Sequence, residues 1–218
     1  MIRFFALFAL GASLFGNAMA DADRPVLVEL FANQNCPACP KAHRTMKQIE
    51  AERDDVFILT WTVNYWDYLG EPDPMAMPAA KDRQMAYTDR LSLRAPYTPQ
   101  SFYDGAKECP GTRKRDIRRN ISKRMKLRQT EIPDLNWDAE AQELTLNGAT
   151  EDALQVTVVE YLSGEANATQ MVNPVTKIET HTPWTGGEAA YPIACETTCA
   201  ALLHQEGIGE VLAVLPLN

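Results

Sequence analysis

Several things are scarce in this 218-residue chain, and each shortage closes off a class of protein. It has three histidines and five cysteines, and so few cysteines do not build a small disulfide scaffold. It has no surplus of positive charge: 29 acidic residues outnumber 21 basic ones, for a formal net charge of −8. That sign argues against general nucleic-acid binding, which relies on a basic surface to displace counterions. No internal repeat or low-complexity tract is present, and the mix of 45% hydrophobic and 23% charged residues is ordinary globular usage, so collagen, coiled coil and disorder are out. No run of about 20 apolar residues occurs, which a membrane-crossing helix needs. What remains is a chain long enough to bury a substantial core.

The first twenty residues have the pattern of a secretory leader. Arg3 supplies the positive start, 4–10 with Ala12, Leu14 and Phe15 the apolar stretch, and Ala18-Met19-Ala20 the small residues before cleavage. The apolar part is too short for a transmembrane anchor. The expected location is therefore periplasmic or secreted, where disulfides form and persist. Loss of Arg3 with the leader brings the formal charge to −9.

Residues 25–31 (PVLVELF) form a β-branched apolar run, as expected of a strand buried on both faces. After a polar turn comes Cys36-Pro37-Ala38-Cys39, then a helical pattern to Glu52 carried by Ala42, Met46 and Ile49. A second apolar run at 56–63 (VFILTWTV) completes a βαβ unit. Helices are expected at 79–93 and 112–128. Between them, 97–105 reads as a strand closed by the Asp104-Gly105 turn. Composition changes near Thr130. Short β-like runs follow at 143–146, 154–162, 175–181 and 211–215, separated by turn signals such as Asn147-Gly148 and Gly186-Gly187. The expected division is 1–20 leader, 24–130 first domain and 131–218 β-rich extension.

Two cysteines three residues apart at a helix start carry specific chemistry. The unpaired N–H groups and positive dipole end favour a thiolate on the first cysteine. The second lies within one turn, close enough to close a disulfide or release a mixed one. Cys36, at the exposed start, is then the nucleophile and Cys39 the resolving thiol, with a Cys36–Cys39 disulfide as the oxidised form. A purely structural bridge and half of a zinc site are the alternatives.

The segments VELFANQNCPACP, VNYWDYLGEPDP and AYTPQSFYDG resemble the bacterial secreted, thioredoxin-like family known as domain of unknown function 1223, over about 26–215. The resemblance implies an α/β fold, a thioredoxin-like domain with a C-terminal β-rich extension. It also implies a cis peptide at Thr98-Pro99 facing the cysteine pair, so Pro99 and Thr98 join the expected site. Glu29 falls about where thioredoxins carry a buried proton-accepting acid, with an offset one residue longer.

Because both parallel strands end at one edge, Tyr65, Trp66 and Tyr68 are expected beside Cys36 as an apolar wall for a peptide substrate, with Asp67 capping the turn. His43, two turns beyond Cys36, reads as a helix-surface residue. Nine Lys and Arg between Arg113 and Arg128, against Asp116 alone, read as a solvated helix face or a dock for an acidic partner or anionic lipid. Cys195 and Cys199 can bridge if their segment is turned but not if it is extended, and a structural disulfide is expected. Cys109 is left over unless it pairs with one of them. The expected function is thiol–disulfide exchange on protein or peptide thiols, with an unidentified redox partner, no nucleic acid, no cofactor and no metal. The rivals are a non-catalytic binding module and a copper or zinc carrier using Cys195, Cys199 and His204.

Overall fold

The computed structural model describes residues 24–128 and 131–217. The expected leader lies outside them, as do 129 and 130 beside the expected domain boundary.

Strand β1 (Val26–Ala32) is buried along its whole length and pairs in parallel with β2 (Val56–Thr62), Val26 opposite Val56. Helix α1 (Cys39–Glu52) connects them, with Pro40 in its first turn, where a missing N–H costs nothing. Helix α2 (Pro78–Arg90) likewise opens on a proline. Strands β3 (Gln100–Tyr103) and β4 (Lys107–Pro110) form a hairpin whose turn holds Asp104 and Gly105, both at positive φ. The resulting sheet runs β2-β1-β3-β4, with β3 antiparallel to β1. Helix α3 (Lys114–Leu127) buries Ile117 and Ile121. The expected helices were thus slightly too long, and β4 carried no apolar run to announce it.

The rest of the chain is all β among the described residues: β5 (Asp134–Asp138), β6 (Glu143–Gly148), β7 (Leu154–Tyr161), β8 (Val175–Thr180), β9 (Gly187–Pro192), β10 (Thr198–Gln205) and β11 (Val211–Leu217). They make two sheets, ordered β11-β10-β7-β8 and β5-β6-β9.

Alternation of side chains decides the layering. Val26, Val28, Leu30 and Ala32 face α1 and α3 in one core cluster. Leu27 and Phe31 face the other way, with Leu59, Trp61 and Phe102. There they share a core with α2 and with Val159, Tyr161, Ala200, Leu202 and Val214 of the second sheet. The opposite side of that sheet packs on Leu144 and Leu146 of the third. The β2 edge is covered by the segment leading to β8. Thr60 N donates to Asn173 O (3.1 Å) and Thr60 Oγ1 to Val172 O (2.7 Å), which removes an open edge.

A buried charge cluster pins these layers. Asp104 accepts from Leu27 N (2.8 Å) and from Arg124 Nε (3.1 Å), and Arg124 also reaches Glu210. Burial pushes the Asp104 carboxyl up to about 6, against the pull of Arg124. Arg124, which the sequence placed on a solvated basic face, is only 5% exposed. Elsewhere on α3, Lys114 and Arg118 both pair with Glu52 of α1.

Candidate functional site: the Cys36–Cys39 edge

At the end of β1 the chain turns on Asn33. Its Nδ2 donates to Val63 O (2.7 Å) and Asp67 Oδ1 (3.0 Å), and its Oδ1 accepts from Asn35 N (2.8 Å). Cys36 N then donates to Asn33 O, and Cys39 N to Cys36 O, each at 3.1 Å. These two turns deliver the chain into α1, which starts at Cys39 and not at Cys36. Cys36 therefore stands in the turn ahead of the helix, close to its N-terminal N–H groups.

Cys36 and Cys39 are unbridged in this structure, the dithiol form of the pair. Cys36, expected to be exposed, is not. It is 2% accessible and Cys39 1%, because both side chains turn inward onto the cluster of Leu30, Ala32, Ala42 and Met46. Pro37 and Ala38 between them are exposed, so the sulfurs lie just beneath the surface. Burial, then the hydrogen bond with Cys36, pushes the Cys39 thiol far above its ordinary value, while Asn33 and Thr98 pull the other way. Cys39 is thus held as a protonated thiol next to Cys36.

The Thr98-Pro99 peptide is cis, with Pro99 buried and Thr98 against Cys39. Thr98 Oγ1 is buried and meets strict hydrogen-bond geometry with no group among the described residues. Gly111 N donates to Pro99 O (2.9 Å). A Cβ on Gly111 would stand 2.6 Å from Leu30 Cδ1 and 3.5 Å from Pro99 Cβ, so glycine permits this close approach.

The three residues expected beside Cys36 diverge in position. Trp66 packs against the cluster holding both thiols, and Tyr65 donates to Gln84 Oε1 (3.0 Å). Burial, with both cysteines nearby, pushes the Tyr65 hydroxyl up to about 12. Tyr68 is the correction: at 80% exposed it points to solvent from a short 3-10 turn, Asp67–Leu69. Asp67 does serve the turn, accepting from Asn33 and from Asp73 N (3.2 Å).

Glu29 is also corrected. It lies on the opposite face of β1 from Leu30, fully buried, and accepts from Arg83 Nε and Tyr87 Oη at 2.6 Å each. Both carboxylate oxygens are engaged there, away from the thiols, so it is a structural ion pair. His43 is the reverse case. Expected on the surface, it is 9% exposed on the inward flank of α1, with Nδ1 unbonded among the described residues. Burial pushes its pKa down to about 4, opposed by Asp73. Asn33, Asp73 and Gly111 escaped the sequence reading. Only the Asn33-x-x-Cys36 spacing offered a local signal, that of an Asx turn.

Cys195 and Cys199 form a disulfide with Cα atoms 6.1 Å apart. The segment is turned ahead of β10, and Cys199 is already on the strand. Cys109 pairs with neither. Its thiol lies 3.2 Å from Tyr103 Oη and is buried under α3. The metal-carrier arrangement fails on geometry. The two sulfurs are bonded to each other, and His204 alternates with Cys199, Ala201 and Leu203, pointing to the opposite face of β10. His204 Nδ1–H donates to Gln205 O (2.7 Å), and Nε2 accepts from Thr157 Oγ1 (2.8 Å). No group of three metal-ligating side chains converges among the described residues.

Residues 27–198 match the family described as "Protein of unknown function (DUF1223)". The chain belongs to the DUF1223 family. No curated protein matches the chain in sequence. Among solved structures, this DUF1223 chain is similar to the X-ray structure of protein AGR_C_4864 from Agrobacterium tumefaciens. The two are 23% identical with a TM-score of 0.74, over 88% of this chain and 93% of that one. It is also similar to HBP35 of Porphyromonas gingivalis, at 13% identity and TM-score 0.56, over 91% of this chain and 76% of that one. At these identities the likeness concerns the mixed α/β fold.

Proposed function

We propose that this DUF1223 protein is an exported thiol–disulfide oxidoreductase with a thioredoxin-like first domain, acting on protein or peptide thiols through Cys36 and Cys39. The observation that carries the reading is the Cys36–Cys39 dithiol after β1, seated against Thr98 and the cis Pro99. The β2-β1-β3-β4 order, with helices on both faces, also supports it. The Cys195–Cys199 bridge favours an oxidising compartment.

In the reaction, Cys36 attacks a substrate disulfide, expels one substrate thiolate and leaves a mixed disulfide. Cys39 then gives up its proton and attacks Cys36 Sγ. That closes the Cys36–Cys39 disulfide and releases the second substrate thiol. Two electrons pass to the substrate, and the reverse sequence oxidises it. The high pKa of Cys39 suits a group that stays protonated until the second step.

Burial of both sulfurs favours the rival, a binding module whose cysteines are inert. Exchange between the reduced protein and a model disulfide substrate, read by mass mapping of each cysteine, separates the two. Cys36→Ser is expected to abolish exchange, and Cys39→Ser to accumulate mixed disulfide at Cys36. Undiminished exchange in Cys36→Ser, or an inert wild-type protein, would overturn the oxidoreductase reading.

A further inference from the structure

The two thiols are shut in by one identifiable stretch of chain. Residues 64–77 leave β2, cross the sulfur-bearing edge and return at Met77, whose N donates to Thr62 O (3.0 Å). Trp66 covers the cluster containing Cys36 and Cys39, and Tyr65 lies close enough to feel both.

This strap is fastened to the three residues immediately before Cys36. Asn33 Nδ2 donates to Asp67 Oδ1 (3.0 Å) and Gln34 N to Asp73 Oδ2 (2.7 Å). Gln34 Nε2 and Asn35 Nδ2 both donate to Glu71 O (2.9 Å). Asp73 is buried and also accepts from Met75 N (3.0 Å), so it knots the strap and its anchorage together. The middle of the strap is otherwise thinly held. Tyr68 is 80% and Leu69 53% exposed, and 70–72 are exposed too. A segment held by few apolar contacts and by surface hydrogen bonds opens locally at low cost.

We propose that the 64–77 strap is a gate over the Cys36–Cys39 pair, latched shut by its hydrogen bonds to Asn33, Gln34 and Asn35, and that it lifts before any external sulfur or electrophile reaches Cys36. The proposal deepens the oxidoreductase reading by naming what controls access to the pair, but its test needs no exchange activity. With the latch on the residues leading into Cys36, movement of that turn and of the strap are one event. Asp73 is the principal fastening, since its carboxylate holds Gln34 N and Met75 N at once. His43 of α1 lies near Asp73, with Lys47 one turn further, and both stay with the helix when the strap lifts.

The test is the rate of iodoacetamide alkylation at Cys36 in the reduced full chain, followed by mass spectrometry from pH 6 to 10. The urea-unfolded chain is the reference. If opening precedes alkylation, the rate scales with the open fraction. The folded protein is then protected by about 100-fold or more, and Asp73→Ala, which frees a charged acceptor's partners, alkylates about tenfold faster or more. Asn35→Ala, which removes one exposed hydrogen bond, gives a smaller increase and covers the case in which Asp73→Ala folds poorly. Both variants raise the plateau rate without moving its pH midpoint, because access and not thiol acidity changes. Three results would overturn the gate: no protection in the folded wild type, no acceleration in either variant, or an acceleration that lies wholly in a shifted midpoint. Faster alkylation in a chain that exchanges no disulfides supports the gate and removes the enzymatic reading.

Discussion

The Glu29–Arg83–Tyr87 cluster supports a prediction that bears on both stability and mechanism. Arg83 is 1% exposed and Glu29 fully buried, with 2.6 Å from Nε to Oε1, and Arg83 Nη2 donates to Tyr87 Oη (2.7 Å). The guanidinium also lies 5.2 Å from the Trp61 ring and 5.1 Å from that of Tyr87. Arg83→Met leaves a desolvated carboxylate with the Tyr87 hydroxyl alone, and Glu29→Leu leaves a desolvated cation. Stranding one member of a buried pair costs about 3–5 kcal/mol, a large share of the roughly 5–15 kcal/mol of a whole domain. Replacing all three, as Glu29→Leu with Arg83→Met and Tyr87→Phe, leaves no unpaired group and is expected to recover most of that loss. Urea denaturation with linear extrapolation measures each step. Single variants losing under about 1 kcal/mol, or a triple variant as unstable as the singles, would refute the stranded-charge argument. The triple variant also tests position. With Glu29 on the far face of β1, Cys36 and Cys39 should keep their alkylation rates. A stable triple variant with silenced thiols would return Glu29 to the reaction.

Two further outcomes concern the C-terminal sheets. Burial, then Arg83, holds His204 at about 4, against an ordinary 6.5. The unfolded chain therefore binds a proton between those values that the native protein does not, and native stability falls as pH drops from about 6.5 to 4. The His204 share is about 3 kcal/mol, so His204→Asn should show a flatter stability profile over that interval in parallel denaturation series. An unchanged slope would contradict it. Opening the Cys195–Cys199 bridge with a Cys195→Ala, Cys199→Ala pair releases a very short loop and should cost about 2 kcal/mol by chain entropy. Thermal unfolding checks this, and a gain in stability would argue against the bridge as a structural staple.

The parts of the fold that depend on neighbours in sequence were legible. β1 and β2 are continuous apolar runs, α1 shows its stripe at Ala42, Met46 and Ile49, and Asp104-Gly105 announces its turn. β10 is illegible from sequence, and its start falls within a cysteine pair whose spacing signals a turn. Its sequence TCAALLHQ is buried on both faces and has no alternation to read. β5, with DLNWD, is half polar because one of its faces meets solvent. At the site, the sequence located the cysteines and the Thr98-Pro99 strand entry. It could not foresee that Glu29 meets an arginine 54 residues away, or that a strap lies across the sulfurs. Those are consequences of packing between segments, which no local spacing encodes.

The sheet carrying the cysteines has aromatic rings on its far side, Phe31, Trp61 and Phe102, seated against strands from the last third of the chain. Excised at residue 130, the first portion would present that greasy slab to water and clump before it could be assayed. The cysteine-bearing edge and the two sheets stacked behind it therefore fold and fail together.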